Sequence, residues 1–148
     1  MDDFVIRTIG FPSRPSKNGG PGSFQFRFES YLKSKEWLVI YPDTKIIPSV
    51  VIINGSTKHF LWLLKLKLKG TVIIYRLGGI NWLYKKAENS WITKKVKQDI
   101  KIALITLMQS LLGDSVIYQS EFSREWLIKF KQSARFKHNF VIHNGVDL

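Results

Sequence analysis

The sequence Ser49-Val50-Val51-Ile52-Ile53-Asn54 contains four β-branched residues in a row, with no polar residue among them. A strand that exposes one face to water alternates apolar and polar residues, and this run does not. Continuous apolar runs of this length are typical of strands buried on both faces of a parallel sheet. The run therefore predicts a central strand of a parallel α/β sheet.

Short apolar segments bounded by glycine, proline or polar residues recur along the rest of the chain. Such segments are typical of further strands of the same sheet. The predicted strands are Phe4–Gly10, Trp37–Tyr41, Thr71–Tyr75, Val116–Gln119 and Phe140–His143.

The segments between these strands carry helix signals. Apolar residues recur at helical spacing from Ser23 onward, and again up to Gly113, which is a natural C-terminal stop. The segment Thr57–Lys69 is preceded by a capping residue, Ser56, and followed by Gly70. Each pattern predicts a helix that connects two strands.

A final helix is expected to be capped by Ser123, with Phe122 and Leu127 forming a hydrophobic staple. Short apolar strands that alternate with helices are typical of a parallel sheet covered by helices. The sequence therefore predicts an α/β fold, with a Rossmann-like parallel sheet, helices on both faces, and one domain over residues 1–148.

The composition fits a globular protein of 148 residues, with 45% hydrophobic and 23% charged residues. The lack of cysteine excludes disulfides and thiolate metal sites, and His59, His138 and His143 have no metal-ligand spacing, so we expect no metal. No run approaches the ~18 uncharged apolar residues of a membrane span, and the N-terminus lacks a secretory signal. We therefore expect a cytoplasmic protein, with peripheral membrane contact as a further option.

The chain is strongly basic, with 23 Lys and Arg against 11 Asp and Glu and a net charge of +12. Such an excess favours an anionic partner, although lysines spread along a chain are also typical of an ordinary solvated surface. The segment Phe60–Lys67 mixes apolar residues with lysine. It suits either an anionic membrane surface or packing on the sheet with lysine stems at its edge.

Ligands of open α/β sheets bind at the carboxyl ends of the strands. In this chain, a glycine loop and several polar or charged residues directly follow predicted strands. Asn18–Ser23 is a glycine loop before the first helix, which suits either an anion site or a flexible turn. Arg76 follows the fourth strand and is either a clamp for a phosphate or carboxylate or a surface arginine. Ser120 and Glu121 follow the fifth strand, where Glu121 can bind a sugar hydroxyl or act as a base, or the pair simply starts a helix.

Six short motifs lie at the ends of predicted strands. They are Ile9–Pro12, Gly19–Gln25, Ile52–Thr57, Tyr75–Gly79, Tyr118–Ser123 and Ile142–Leu148. In order and spacing they resemble the N-terminal half of a retaining family 4 glycosyltransferase of the GT-B fold, and the resemblance covers nearly the whole chain.

The resemblance implies an enzyme of two Rossmann-like domains that transfers a sugar from a nucleotide-sugar to an acceptor with retention, usually without a metal. The N-terminal half would hold the acceptor, which is a glycan, a lipid or a polysaccharide precursor. Beyond the nucleotide-sugar donor, no cofactor is implied. The residues implied to line the acceptor side of the cleft are Arg76, Gly79, Ser120 and Glu121, and those implied to approach the donor phosphates are Gly19 and Gly20.

The resemblance also implies that Asn144, Gly145 and Asp147 form a hinge between two domains. The C-terminal donor-binding domain, which carries the family's nucleotide-sugar ligands, is absent from these 148 residues. We therefore expect a fragment, a split-gene product or a remnant that is inactive alone, and no catalytic residue is assigned. Many family members have a histidine where this chain has Arg76–Gly79, and others have an aspartate where it has Gly78.

Two other interpretations stay open. One is a basic α/β module that binds nucleic acid, which the charge favours. Its aromatic residues argue against it, because most of Phe24, Phe28, Trp126 and Phe130 fall on predicted core faces. The other is a non-catalytic remnant whose exposed apolar surface promotes aggregation.

Overall fold

The fold is an α/β arrangement, seen in a computed structural model that describes residues 7–16, 20–55, 57–78, 92–129, 136 and 138–143. Six strands and four helices lie within these residues. The strands are β1 (Thr8–Gly10), β2 (Leu38–Ile40), β3 (Val50–Asn54), β4 (Val72–Leu77), β5 (Ser115–Tyr118) and β6 (His138–Val141). The helices are α1 (Gly20–Ser34), α2 (Phe60–Leu68), α3 (Ile92–Leu112) and α4 (Glu121–Lys129).

The strands form one sheet in the order β2-β1-β3-β4-β5-β6. The pairs β1 with β2, β1 with β3, β3 with β4, and β5 with β6 are all parallel. The predicted α/β fold with a Rossmann-like parallel sheet is therefore confirmed. By their internal contacts, the residues divide into two compact units, Met1–Arg76 and Leu77–Leu148.

In the first unit, β3 is the buried strand that its sequence predicts. Val51, Ile52 and Ile53 are buried, as expected of a strand covered on both faces. A core cluster joins this strand to β1 and α1, and its buried members are Ile9, Phe11, Leu32 and Ile52. The connection from β2 returns past β1 to β3, so the direction of winding reverses between β1 and β3. This reversal is the switch point at which open α/β sheets bind ligands.

Helix α1 begins at Gly20, three residues before the predicted start at Ser23. Pro21 is compatible with this early start, because the first turn of a helix needs no N–H from proline. The glycine-rich segment is thus partly helix rather than wholly loop.

Helix α2 is shorter at its start than predicted and ends as predicted. It begins at Phe60 after His59, which makes no side-chain capping hydrogen bond, and Ser56 lies outside the described residues. At the other end, Gly70 has a φ of +85°, and its N–H donates to the carbonyl of Lys67 while that of Thr71 donates to Leu66. This paired arrangement is the Schellman stop that a glycine favours.

Strand β4 is longer than predicted, since it includes Arg76 and Leu77. In the second unit, β6 covers His138–Val141 rather than Phe140–His143. The short apolar segments signal that strands exist, whereas pairing with a neighbour sets where each one ends.

Helix α3 ends before Gly113, whose N–H donates to the carbonyl of Gln109. The apolar stripe that predicts this helix is exposed in the structure, whereas Gln109 and Leu112 are buried. The exposed members of the stripe are Ile100, Leu104, Leu107 and Leu111.

Candidate functional site

A cavity of about 140 Å³ lies at the carboxyl ends of β1 and β3, within the first unit. The segment after β1, the start of α1 and the end of β3 form its walls. Its lining residues are Pro12, Ser13, Arg14, Ser16, Gly22, Gln25, Ile53, Asn54 and Thr57. The cavity therefore coincides with the switch point of the sheet.

Gly22 allows the segment after β1 to lie against the first turn of α1. A Cβ atom at this position would overlap the backbone carbonyl oxygen of Ser16. Only glycine fits this approach without moving the backbone, so Gly22 shapes the cavity wall.

Buried polar side chains of α1 stand beside the cavity. Gln25 and Glu29 are 5% and 3% exposed, and the Nε2 atom of Gln25 donates to Glu29 Oε1 at 2.8 Å. The same Nε2 atom donates to the carbonyl oxygen of Ser13 at 2.7 Å. The hydroxyl of Tyr41 donates to Glu29 Oε2 at 2.5 Å, so both carboxylate oxygens are engaged.

Burial, together with the hydrogen bond to Glu29 and its charge, raises the pKa of Tyr41 above its ordinary value. Ionised Tyr41 would place a second negative charge beside a carboxylate. The Tyr41 hydroxyl therefore stays protonated and remains a donor to Glu29.

Asn54 connects these polar side chains to the cavity. Its Nδ2 atom donates to Gln25 Oε1 across a long 3.4 Å. Its Oδ1 atom is buried and has no hydrogen-bond partner among the described residues. A buried acceptor without a donor loses its hydration without replacement, which costs about 1–3 kcal/mol.

Arg14 is the one charged residue among the described lining residues. Its guanidinium pairs with Asp43 at 2.7 Å and lies 4.6 Å from the ring centre of Tyr41. The arginine charge is therefore balanced at the cavity rim.

The structure corrects the position predicted for Arg76. This residue lies inside β4, in register with Asn54 of β3, rather than in a loop after the strand. It is 6% exposed, and its guanidinium carbon lies 3.5 Å from the ring centre of Phe24. Burial lowers the pKa of Arg76 to about 10. Arg76 is thus a buried cation over an aromatic face, not a surface arginine.

Ser120 and Glu121 lie in the second unit, at the start of α4. The Oγ atom of Ser120 accepts from the Ser123 N–H at 3.1 Å, so Ser120 caps this helix. The predicted cap at Ser123 is therefore wrong. With Ser120 as the cap, Phe122 and Leu127 do not occupy the N′ and N4 positions that a hydrophobic staple requires. The prediction chose the wrong serine because Ser120 and Ser123 are three residues apart and serine is favourable as a helix cap at either position.

Glu121 is half exposed, and its Oε2 atom pairs with Arg124 at 2.6 Å across the first turn of α4. Gly78 directly follows β4. A Cβ atom at position 78 would lie 2.7 Å from Gln119 Nε2, so a larger residue fits only if that side chain moves.

The remaining predicted site residues are only partly described. Gly20 is the first residue of α1. His59 precedes α2 and is half-buried, while His138 and His143 are exposed. The predicted residues outside the described ranges are Gly19, Gly79, Asn144, Gly145 and Asp147.

Sequence reasoning did not single out Glu29 or Tyr41, which belong to the hydrogen-bond network of Gln25 but are not among the lining residues of the cavity. A signal for Glu29 was present, because Gln25 and Glu29 are four residues apart beside the apolar series Phe24, Phe28 and Leu32. Polar residues that recur next to the buried face of a helix indicate a buried hydrogen-bond network. Tyr41 had no such signal, since its partner is distant in sequence.

In the part of the chain that the structure describes, no three His, Cys, Asp or Glu residues are grouped closely enough to hold a metal ion. Likewise, none of its helices combines the length and the apolar character that crossing a membrane requires.

Fold and cavity together define the class, an α/β protein with a Rossmann-like parallel sheet and a polar cavity at its switch point. Comparison with known proteins finds no matching family model, no matching curated protein and no matching solved structure.

Proposed function

We propose that this chain is the acceptor-side domain of a retaining glycosyltransferase that uses a nucleotide-sugar donor. The observation that supports the proposal is the position of the cavity at the switch point. Six of its nine lining residues belong to motifs on which the resemblance rests, namely Pro12, Gly22, Gln25, Ile53, Asn54 and Thr57.

The polar character of the cavity suits an acceptor rather than a donor nucleotide. Its lining offers amide, hydroxyl and backbone groups, and its one described cation is paired with Asp43. A nucleoside diphosphate requires several unpaired donors or cations for its phosphates. We therefore propose that the second domain of the enzyme supplies the donor site.

The decisive experiment compares residues 1–148 with the complete product of the gene. Each is incubated with UDP- and GDP-sugars and a panel of glycan and lipid-linked acceptors, and the released nucleotide and the anomeric configuration of the product are measured. We expect transfer with retention by the complete product and none by residues 1–148. Absence of transfer by the complete product with every donor contradicts the proposal, and turnover by residues 1–148 contradicts the need for a second domain.

We further propose that α2 brings the chain to an anionic membrane surface that carries a lipid-linked acceptor. Leu61 and Leu68 are 77% and 81% exposed, and Lys65 and Lys69 are exposed close to them. Exposed leucine beside lysine gives a helix both an apolar and an electrostatic contribution to binding at a lipid surface.

Sedimentation with vesicles tests this contact. We expect binding to phosphatidylglycerol vesicles that weakens with salt, no binding to phosphatidylcholine vesicles, and loss of binding in the L61Q/L68Q variant. A matched control is L104Q/L107Q, which changes two exposed leucines of α3. Equal binding to both kinds of vesicle contradicts the proposal, and salt-sensitive binding to polynucleotide instead of lipid favours the nucleic-acid interpretation.

A further inference from the structure

Four apolar residues of α3 lie on the side of the helix that faces away from its buried residues. Gln109 and Leu112 are 1% exposed and mark the packed side. Because successive residues of a helix are about 100° apart around its axis, residues spaced four, three and four apart share one side. The residues with this spacing form a surface that we call the α3 stripe. They are Ile100, Leu104, Leu107 and Leu111, and they are 54%, 56%, 53% and 60% exposed.

The α3 stripe has the size and the spacing of a contact surface for another helix. Its four branched aliphatic side chains expose an apolar patch of roughly a few hundred Å², which is a size typical of interaction sites. Alternating separations of three and four residues are those of the a and d positions of a coiled coil. The neighbouring Ala103 and Ser110 are small and exposed, so a second helix can approach closely.

The spacing of the α3 stripe is the same from either end, which favours a second copy of this chain as the partner. A two-fold axis that crosses the helix between positions 105 and 106 places Ile100 opposite Leu111 of the second copy, and Leu104 opposite Leu107. Each of the four residues then has an apolar counterpart in an antiparallel pair of helices. A two-fold contact requires such a self-complementary surface, whereas contact with a different protein does not.

The charges in the sequence of α3 also favour an antiparallel second copy. The first half of the helix carries four lysines and one aspartate, whereas residues 102–112 carry no charge. Antiparallel packing keeps the lysines of the two copies apart and brings each set toward the C-terminal end of the other helix, where the helix dipole is negative. Parallel packing would bring the lysines together in a chain whose net charge is already +12.

We propose that the α3 stripe is the contact surface of an antiparallel homodimer of this chain. The stripe is smaller than the ~800 Å² that each partner buries in a standard interface, so the dimer is weak, and we expect a Kd of about 10–100 μM. The contact lies in the second unit and uses no residue of the cavity in the first unit. The dimer therefore does not depend on the proposed function.

Sedimentation equilibrium of the 148-residue chain tests whether the dimer forms. Between about 5 and 500 μM, which brackets the expected Kd, the mean mass should rise from 17.2 kDa towards twice that value. In L104Q/L107Q we expect the Kd to rise at least about tenfold, because the contact would bury amide groups without partners. The matched control L61Q/L68Q changes two exposed leucines of α2 and should keep the original Kd. Circular dichroism checks that each variant is folded.

Disulfide formation tests the antiparallel direction. The chain has no cysteine, so a cysteine introduced alone can pair only with one in another copy. The variant I100C is mixed with a tagged L111C of different mass in a glutathione buffer, and we expect mainly the mixed disulfide. Two copies of position 100 lie eleven residues apart along the antiparallel pair, about 16 Å, whereas a disulfide requires Cα atoms within about 7 Å.

Other occupants of the α3 stripe give different results. Loss of vesicle binding in L104Q/L107Q would mean that lipid covers the stripe. A complete gene product that stays monomeric where the 148-residue chain dimerises would mean that a second domain covers it. Either result overturns the homodimer.

The remaining outcomes separate the homodimer from the proposed function. A chain that stays monomeric over the whole range, a folded L104Q/L107Q with an unchanged Kd, or disulfides mainly between like variants overturns the proposed dimer and leaves the proposed function intact. A dimer with the expected variant effects, in a protein that transfers no sugar, supports the dimer and counts against the proposed function alone.

Discussion

Glu29 shows how one buried charge organises its surroundings. It is 3% exposed, and its two oxygens accept from a tyrosine hydroxyl and a glutamine amide. A buried carboxylate is tolerated only where hydrogen bonds replace its hydration. The bond from Tyr41 also ties α1 to the segment that follows β2.

The change Tyr41→Phe tests this arrangement through pH. Because the pKa of Tyr41 is raised above 10 in the folded chain, the folded state keeps a proton that the unfolded state releases. The resulting stability is present below about pH 10 and is lost as the pH rises further. We expect Y41F to have a lower free energy of unfolding than the unmodified chain near pH 8. Above pH 10 we expect its free energy of unfolding to decline less steeply with pH.

Urea unfolding between pH 8 and pH 11 measures both effects. Part of the decline in the free energy of unfolding should remain in Y41F, because burial also raises the pKa of Tyr75, to about 12, and Tyr75 is unchanged in this variant. S30A serves as the control on α1. A decline above pH 10 that is as steep in Y41F as in the unmodified chain would show that Tyr41 does not hold its proton.

Phe24 stabilises the buried cation of Arg76. Its ring lies 3.5 Å from the guanidinium carbon and stacks on Phe28 with a 5.6 Å centroid separation. A desolvated cation–π contact contributes about 2 kcal/mol, so we expect F24L to lose about 2–3 kcal/mol of unfolding free energy when the lost stacking is included.

Chemical denaturation measures this loss. The matched control is F140L, the same change at an exposed ring in β6, which should cost less than about 0.5 kcal/mol. Similar losses in the two variants would mean that the contact with Arg76 contributes nothing.

At the scale of elements, helix ends depend on single side chains. Helix α2 stops at Gly70 through a Schellman arrangement, and α4 starts at Ser120 through its hydroxyl. The unbonded N–H groups of a first helical turn need an acceptor, and a serine in the capping position provides one.

The pair Ser120→Ala and Ser123→Ala tests which serine caps α4. We expect S120A to lose about 1 kcal/mol of unfolding free energy because the Ser123 N–H loses its acceptor, and S123A to lose less. Thermal unfolding followed by circular dichroism compares the two. A larger loss in S123A would restore the cap that the sequence alone suggests.

At the scale of the whole molecule, the net charge of +12 opposes the compact state. Salt screens this repulsion, because the Debye length falls from about 30 Å at 0.01 M to about 8 Å at 0.15 M ionic strength. We therefore expect the Tm to rise between these two salt concentrations.

Differential scanning calorimetry measures the rise. The variant K33Q/K45Q/K65Q removes three charges at exposed positions and should show a smaller rise. A Tm that does not change with salt in either protein would mean that attractive pairs, such as Arg14 with Asp43, already balance the charge.

Much of the fold was predictable from local signals. Four consecutive β-branched residues predict β3, Gly70 predicts the end of α2, and Gly113 predicts the end of α3. Each signal acts over a few residues through backbone conformation or burial. Element ends such as those of β4 and β6 were not predictable, because pairing between strands sets them.

Some features of the candidate site could also be predicted from the sequence, and others could not. The sequence alone determined that polar and glycine residues follow β1 and β3, and that parallel strands bring their carboxyl ends to one edge of the sheet. Only the tertiary structure decided that Asn54 meets Gln25, 29 residues away in sequence, and that Tyr41 meets Glu29. Hydrogen bonds between distant residues depend on where whole elements pack, and no local preference of the chain specifies that.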